Sequence, residues 1–203
     1  MDARRQVAYE AARLLYDGAY DEYKDAKEVA ATSLGVRSIP SNYEVAEQLE
    51  RVAEAEEGSD RLRRLMEMRM VAVEVMKALG DVSPRLIGSV WRGTARMGSD
   101  VDVVVYGDHD LVELTLSEKY SVKEKTAKSF MVEGAPRTST HLKLEVGGYD
   151  VEVVVRPPRD VEAYRDERCD IYGDFKRGVG LGELERLMKT DPLRRFIPRR
   201  RQR

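Results

Sequence analysis

The period of hydrophobic and polar positions changes near residue 80. Before that point apolar residues recur three and four apart, as in Val45, Leu49 and Val52 and again in Leu62, Leu65, Met66, Val73, Met76 and Leu79. This is the spacing of helices that bury one face. Gly18, Gly35, Gly58 and Gly80 each follow such a stretch and serve as helix stops. Ser41 followed by Glu44 forms a capping box that opens one helix, and Ser59 caps the next. The methionines of the fourth stripe fill core space and are not a ligand box.

Past Asp81-Val82-Ser83-Pro84 the spacing shortens. Arg85–Ile87 reads as a short strand, 89–97 as a short helix and Val101–Tyr106 as a stronger strand, with Asp110 capping a helix over 111–119. Val122–Lys125, Ser129–Val132 and Thr140–Val146 alternate as strands do. Gly147-Gly148 is a hairpin turn signal, and Tyr149–Arg156 is a β-rich run ended by Pro157-Pro158. Residues 161–168 and 181–189 read as helical. The pattern divides the chain into a helical region over 1–80, a core over 81–160 and a helical, basic segment over 161–203, an α+β class. It holds no convincing repeat and no low-complexity linker.

Composition narrows the chemistry. The 203 residues are 42% hydrophobic and 35% charged, which suits a soluble globular protein. No apolar run reaches the length of a membrane span, and the charged N-terminus lacks the apolar stretch of a signal peptide. A single cysteine, Cys169, excludes an intrachain disulfide and a thiolate metal cluster, and it fits a reducing, cytoplasmic setting. With His109 and His141 the only histidines, a metal would be held mainly by oxygen, which favours magnesium or manganese over zinc. The net charge of −2 gives no global preference for nucleic acid. Arg194, Arg195, Arg199, Arg200, Arg201 and Arg203 nevertheless crowd the last ten residues, as an RNA-facing surface or a solvated tail.

Candidate chemistry sits in Leu86-Ile87-Gly88-Ser89, then ten residues, then Asp100-Val101-Asp102-Val103. Gly88-Ser89 at a strand-to-helix turn offers backbone N–H groups to phosphates. Asp100 and Asp102, two positions apart on a strand, point to one face and can share a hard cation. Together they read as a site for a nucleoside triphosphate and its magnesium. Asp150 and Glu152 repeat the spacing in a strand otherwise made of valine, where a carboxylate is costly unless paired or bound to a cation. Three acids beside a phosphate-binding turn suit two-metal phosphoryl chemistry, the third serving the second cation and taking a proton.

Gly88-Ser89, Asp100-Val101-Asp102 and an acid on a later strand resemble the signature of the DNA polymerase β-type nucleotidyltransferase superfamily. That superfamily includes CCA-adding enzymes, poly(A) polymerases, aminoglycoside nucleotidyltransferases and the nucleotidyltransferase partners of toxin–antitoxin pairs. The resemblance covers roughly residues 83–156. It implies a polymerase β-like core with a mixed sheet, and Mg2+ or Mn2+ held by Asp100, Asp102 and a third carboxylate. Gly148-Tyr149-Asp150-Val151-Glu152-Val153-Val154 is similar to the third-carboxylate strand of archaeal CCA-adding enzymes, whose second acid is the ligand. On that match the third carboxylate is Glu152, where the family usually has Asp, and Asp150 is the fallback.

The same resemblance has Ser89 binding the β- and γ-phosphates. Arg92, in the helix that follows Gly88-Ser89, is close enough in sequence to meet triphosphate charge, or it is structural or solvated. Ser99 orients the acidic pair or caps a turn. Arg96 reads as solvated, Trp91 as core, Lys143 as a phosphate contact and Cys169 as a bystander. His141, which begins the strand pairing with that of Glu152, is a further candidate. The acceptor hydroxyl is left open between RNA and a protein, the latter as in antitoxin-like AMP transfer. A nucleotide-binding module without catalysis is the third reading. The chain lacks the length for the added tRNA-binding domains of CCA-adding enzymes, whereas toxin-neutralising members are usually shorter. Neither the transferred base nor the oligomeric state is encoded in these motifs.

Overall fold

A computed structural model describes residues 2–132 and 134–198, so Arg199, Arg200, Arg201 and Arg203 lie outside the described residues. The chain forms two compact units that divide between Arg61 and Leu62.

The first unit contains α1 (Ala3–Tyr16), α2 (Tyr23–Ser33) and α3 (Asn42–Glu57), together with the loop Cys169–Asp174. Small residues let the helices approach closely. Ala8, Ala11 and Ala12 of α1 and Ala26 and Ala30 of α2 are buried with Val45, Leu49 and Val52 of α3. Ser41 and Glu44 form the expected capping box, and the Arg4 guanidinium holds the Glu44 carboxyl down at about 2. Half-buried Cys169 lies in the loop, where Tyr172 meets Tyr43 edge to face.

The second unit is built on a six-stranded mixed sheet, with order β3-β4-β5-β2-β1-β6. Its elements are α4 (Ser59–Ala78), which begins in the first unit, then β1 (Arg85–Leu86), α5 (Gly88–Arg92), β2 (Val101–Tyr106) and α6 (His109–Ser117). They continue with β3 (Val122–Val132), β4 (Ala135–Val146), β5 (Tyr149–Arg156), β6 (Val179–Gly180) and α7 (Leu181–Thr190). β2 and β5 run parallel and the remaining neighbours antiparallel. One face is apolar: Val101, Val103, Val105, Leu142, Leu144, Val151, Val153 and Val155 are buried with Leu65, Met68, Ala72, Val75 and Met76 of α4. Alternation along the strands leaves Asp102, His141, Lys143 and Glu152 to the opposite face.

Several sequence expectations move. The two compact units divide at 61/62, and α4 packs its apolar face into the sheet's core. Within α4, Leu62 and Met66 are exposed, and Met68, Val71 and Val75 complete the buried stripe. The helix after Gly88 ends at Arg92, stopped by Gly93 in the left-handed region, so residues 94–97 are not helical. Asp108, not Asp110, caps α6, its Oδ1 accepting from the N–H groups of Asp110 and Leu111. The runs 122–125 and 129–132 merge into one exposed edge strand with an irregularity near Val122. Residues 161–168 form turns and a short bridge in place of a helix.

Arg69 lies fully buried inside the α4 stripe. Its guanidinium donates to the carbonyls of Val90 (3.1 Å), Trp91 (2.9 Å), Pro192 (2.6 Å) and Arg194 (2.9 Å). Burial pushes its pKa down to about 10, which leaves it charged at neutral pH. The cation satisfies carbonyls at the C-terminal end of α5 that no helical N–H reaches, and it ties that helix to residues 192–194. Arg69→Met strands several buried acceptors at once and is expected to cost about 3 kcal/mol or more. Denaturant unfolding measures this; a loss within about 1 kcal/mol contradicts the role.

Candidate active site

The site is assembled at the β1–α5 turn and the adjoining ends of β2 and β5. Asp102 stands opposite Glu152 in the parallel β2–β5 register. Asp100 precedes β2 by one residue and is two positions from Asp102, so both carboxylates belong to one side of the strand. One carboxylate oxygen from each of Asp100, Asp102 and Glu152 lies within 4.8 Å of the others, a donor set that could hold a hard cation. Asp150 is exposed at the start of β5, outside this group.

Gly88 is required by this arrangement. Its φ is +71°, and a Cβ there would lie 2.1 Å from Asp102 Oδ2. Any larger residue would meet the carboxylate as well as adopt a disfavoured backbone. The Ile87 N–H donates to the Asp102 carbonyl at 2.9 Å, fixing the turn against β2. Ser89 follows in the first turn of α5, and its carbonyl accepts from the Thr94 N–H.

The acids strain one another. Burial, followed by the charges of Asp100 and Glu152, pushes the Asp102 carboxyl well above its ordinary value. Asp100 remains open to solvent on one side, and its carboxyl is also raised. Lost hydration on its protein side is the main cause; a backbone hydrogen bond opposes it, Glu152 and Asp150 add to it, and Lys143 lowers it. A divalent cation among the three would remove this repulsion, so the donor set fits such an ion.

The other sequence candidates occupy varied positions. Arg92 is buried: it donates to the Phe196 carbonyl at 3.3 Å and lies 4.9 Å from the Trp91 ring centroid. Trp91 stacks on Phe196, with centroids 5.5 Å apart. Ser99 Oγ accepts from the Arg96 N–H, the geometry of a turn cap. Lys143 stands opposite Glu152 in the β4–β5 register and pairs with Glu124 at 2.9 Å. Arg194 and Arg195 are drawn in: the Arg194 carbonyl binds Arg69, and both residues border Gly93. His141 is buried, with Nδ1 2.9 Å from Glu152 Oε1 and Nε2 2.9 Å from Ser139 Oγ.

Sequence reasoning missed Arg69 and Ser139. An arginine between Met68 and Met70 in an apolar stripe was the available signal for the first. Nothing in the local pattern marked Ser139.

Residues 69–146 match the family described as "Nucleotidyltransferase domain". Over that stretch the chain is similar to a nucleotidyltransferase domain. The match takes in Gly88, Ser89, Asp100 and Asp102 and stops short of Glu152, whose place rests on the β2–β5 register. A stretch of 98 residues is 37% identical to the 2-oxoglutarate dehydrogenase E1 component of an Exiguobacterium species, covering 45% of this chain and 10% of that protein.

Among solved structures, the GLD-2/RNP-8 complex is 16% identical with a TM-score of 0.35, covering 62% of this chain and 45% of that one. The Cid1 poly(U) polymerase, solved with MgATP, is 16% identical with a TM-score of 0.33, covering 57% and 38%. The chain thus spans less than half of these neighbours, and likenesses of this strength assign no residue roles.

The raised carboxyls have a thermodynamic consequence. A group that binds its proton more tightly when folded loses stability as pH rises from its unfolded value through its folded one. In chelator, the protein should therefore become less stable as pH rises above about 4, the ordinary aspartate value. Asp102→Asn should melt higher than the parent at neutral pH and lose less between acid and neutral pH. Thermal melts across that range test this, and a lower melting temperature for Asp102→Asn at neutral pH contradicts it.

Proposed function

We propose that this domain transfers a nucleoside monophosphate from a nucleoside triphosphate to an acceptor hydroxyl. The observation that carries the reading is the gathering of Asp100, Asp102 and Glu152 within 4.8 Å beside the Gly88 turn. Three carboxylates at such separation are unfavourable without a partner, and a polyphosphate with divalent cations supplies one.

Gly88 and Ser89 receive the β- and γ-phosphates, because the turn exposes backbone N–H groups and no side chain obstructs the approach. Asp100 and Asp102 hold Mg2+ or Mn2+ against the triphosphate, with Glu152 completing the set. When bound, the cations neutralise the charge growing on the phosphates and acidify the attacking hydroxyl. The acceptor oxygen bonds to the α-phosphorus while the bond from that phosphorus to the bridging oxygen of pyrophosphate breaks. A carboxylate of the set takes the hydroxyl proton. Arg92 acts from behind, holding α5 against Phe196 in place of touching the nucleotide.

RNA is the favoured acceptor class. Lys128 and Lys143 stand half-exposed beside Glu152, and cations there suit a phosphodiester backbone. Incubation with Mg2+ or Mn2+, each α-labelled triphosphate, and total RNA or total protein tests the proposal. Label should reach RNA, and Asp102→Ala should reduce transfer at least about a hundredfold, beyond what loss of an outer-shell partner does. Label on protein would replace RNA by AMP-type protein modification. Nucleotide that binds without being consumed would overturn catalysis.

A further inference from the structure

Glu152 reaches the acidic set from a longer side chain than the aspartates beside it. A glutamate has one more rotatable bond, so presenting an oxygen at a fixed point costs more conformational entropy unless something holds the carboxylate. The structure contains such a hold, and it lies one strand away. His141 of β4 is buried and aims Nδ1 at Glu152 Oε1, 2.9 Å away, while its Nε2 sits 2.9 Å from the hydroxyl of buried Ser139. Lys128 Nζ is 3.6 Å from the same Oε1, but its side chain is half-exposed and its pull is screened by water.

Donor and acceptor roles follow from the chemistry of the groups. An ionised carboxylate only accepts, so Nδ1 donates whichever charge the imidazole carries. The Ser139 hydroxyl can give or take a hydrogen and matches Nε2 in either case. Both ring nitrogens are thus engaged, and the ring plane is fixed along the line from Ser139 to Glu152. Strand geometry requires this placement: Ser139 and His141 are two apart on β4 and share a face, and His141 pairs with Val154, next on that face after Glu152.

We propose that His141, braced by Ser139, is a positioning residue that orients the Glu152 carboxylate as a divalent-cation ligand. The Nδ1–H engages Oε1 and so sets the direction of the remaining oxygen lone pairs toward Asp100 and Asp102. The inference rests on the cation-site reading above and adds to it two residues from outside the acidic set. Removing such a partner characteristically weakens metal binding about 10- to 100-fold.

The test uses Mn2+ binding to the full chain, followed by the loss of the free-ion electron paramagnetic resonance signal, with no turnover involved. His141→Asn places an amide N–H where Nδ1 stands, whereas His141→Gln places it where Nε2 stands. Both variants are polar and neutral, and Gln fills the volume of histidine more nearly than Asn does, so a role limited to filling space would rank them in the opposite order. Asp102→Asn reports on the cation site itself, and circular dichroism confirms that each variant is folded. The expected result is Mn2+ affinity reduced about 10- to 100-fold in His141→Gln and kept within about threefold of the parent in His141→Asn. Ser139→Ala, which removes only a hydroxyl, should weaken binding by a smaller factor. Equal affinities in the Asn and Gln variants, whether retained or lost, would overturn the positioning role while Asp102→Asn still abolishes binding. Unchanged binding in Asp102→Asn would instead remove the cation site on which the proposal rests.

Discussion

The second unit is organised around a contact that admits no side chain. Gly88 turns in the left-handed region directly against the Asp102 carboxylate, where a Cβ would lie 2.1 Å from Oδ2. That approach fixes three things together. It sets the β1–α5 turn on the end of β2, places the first N–H groups of α5 beside the acids, and shields Asp102 from water on one side. The parallel pairing of Asp102 with Glu152 adds the third carboxylate from β5. Burial first, and then the neighbouring like charges, raise the proton affinity of Asp100 and Asp102, an electrostatic load that a bound cation would relieve.

Such a site needs support from behind, and α5 is too short to supply it. Five residues make little helical hydrogen bonding of their own. Arg69 compensates by donating to carbonyls at the end of α5 and in residues 192–194. Stacking of Trp91 on Phe196 and the hydrogen bond from the Phe196 N–H to the Arg92 carbonyl close the same junction. Arginines near the C-terminus, which a sequence view assigns to RNA or to solvent, are in part structural here. Arg195 loses hydration against this junction, which lowers its pKa.

Much of this was legible beforehand wherever a local rule governed the outcome. The Ser41–Glu44 box, the Gly147-Gly148 hairpin and the β2 strand each follow from a few neighbouring residues. The spacing from Gly88-Ser89 to Asp100 and Asp102 was legible for the same reason, since one turn and one strand set it. What escaped depends on partners distant in sequence. The burial of Met68, Val71 and Val75 follows from how α4 packs on the sheet. The truncation of α5 follows from Gly93, which sits against residues 194 and 195. The choice between Asp150 and Glu152 as the acid nearest the pair needed the β2–β5 register, and the Ser139–His141–Glu152 chain needed that of β4 with β5.

The central claim is that Asp100, Asp102 and Glu152 form one cation site serving a triphosphate on the Gly88-Ser89 turn. Anomalous diffraction from crystals grown with Mn2+ and a non-hydrolysable nucleoside triphosphate addresses it directly. The account predicts manganese peaks coordinated by all three carboxylates, with the β- and γ-phosphates at the N–H groups after Gly88. Manganese bound elsewhere, or bound to the aspartates while Glu152 stays out of its coordination shell, would contradict it.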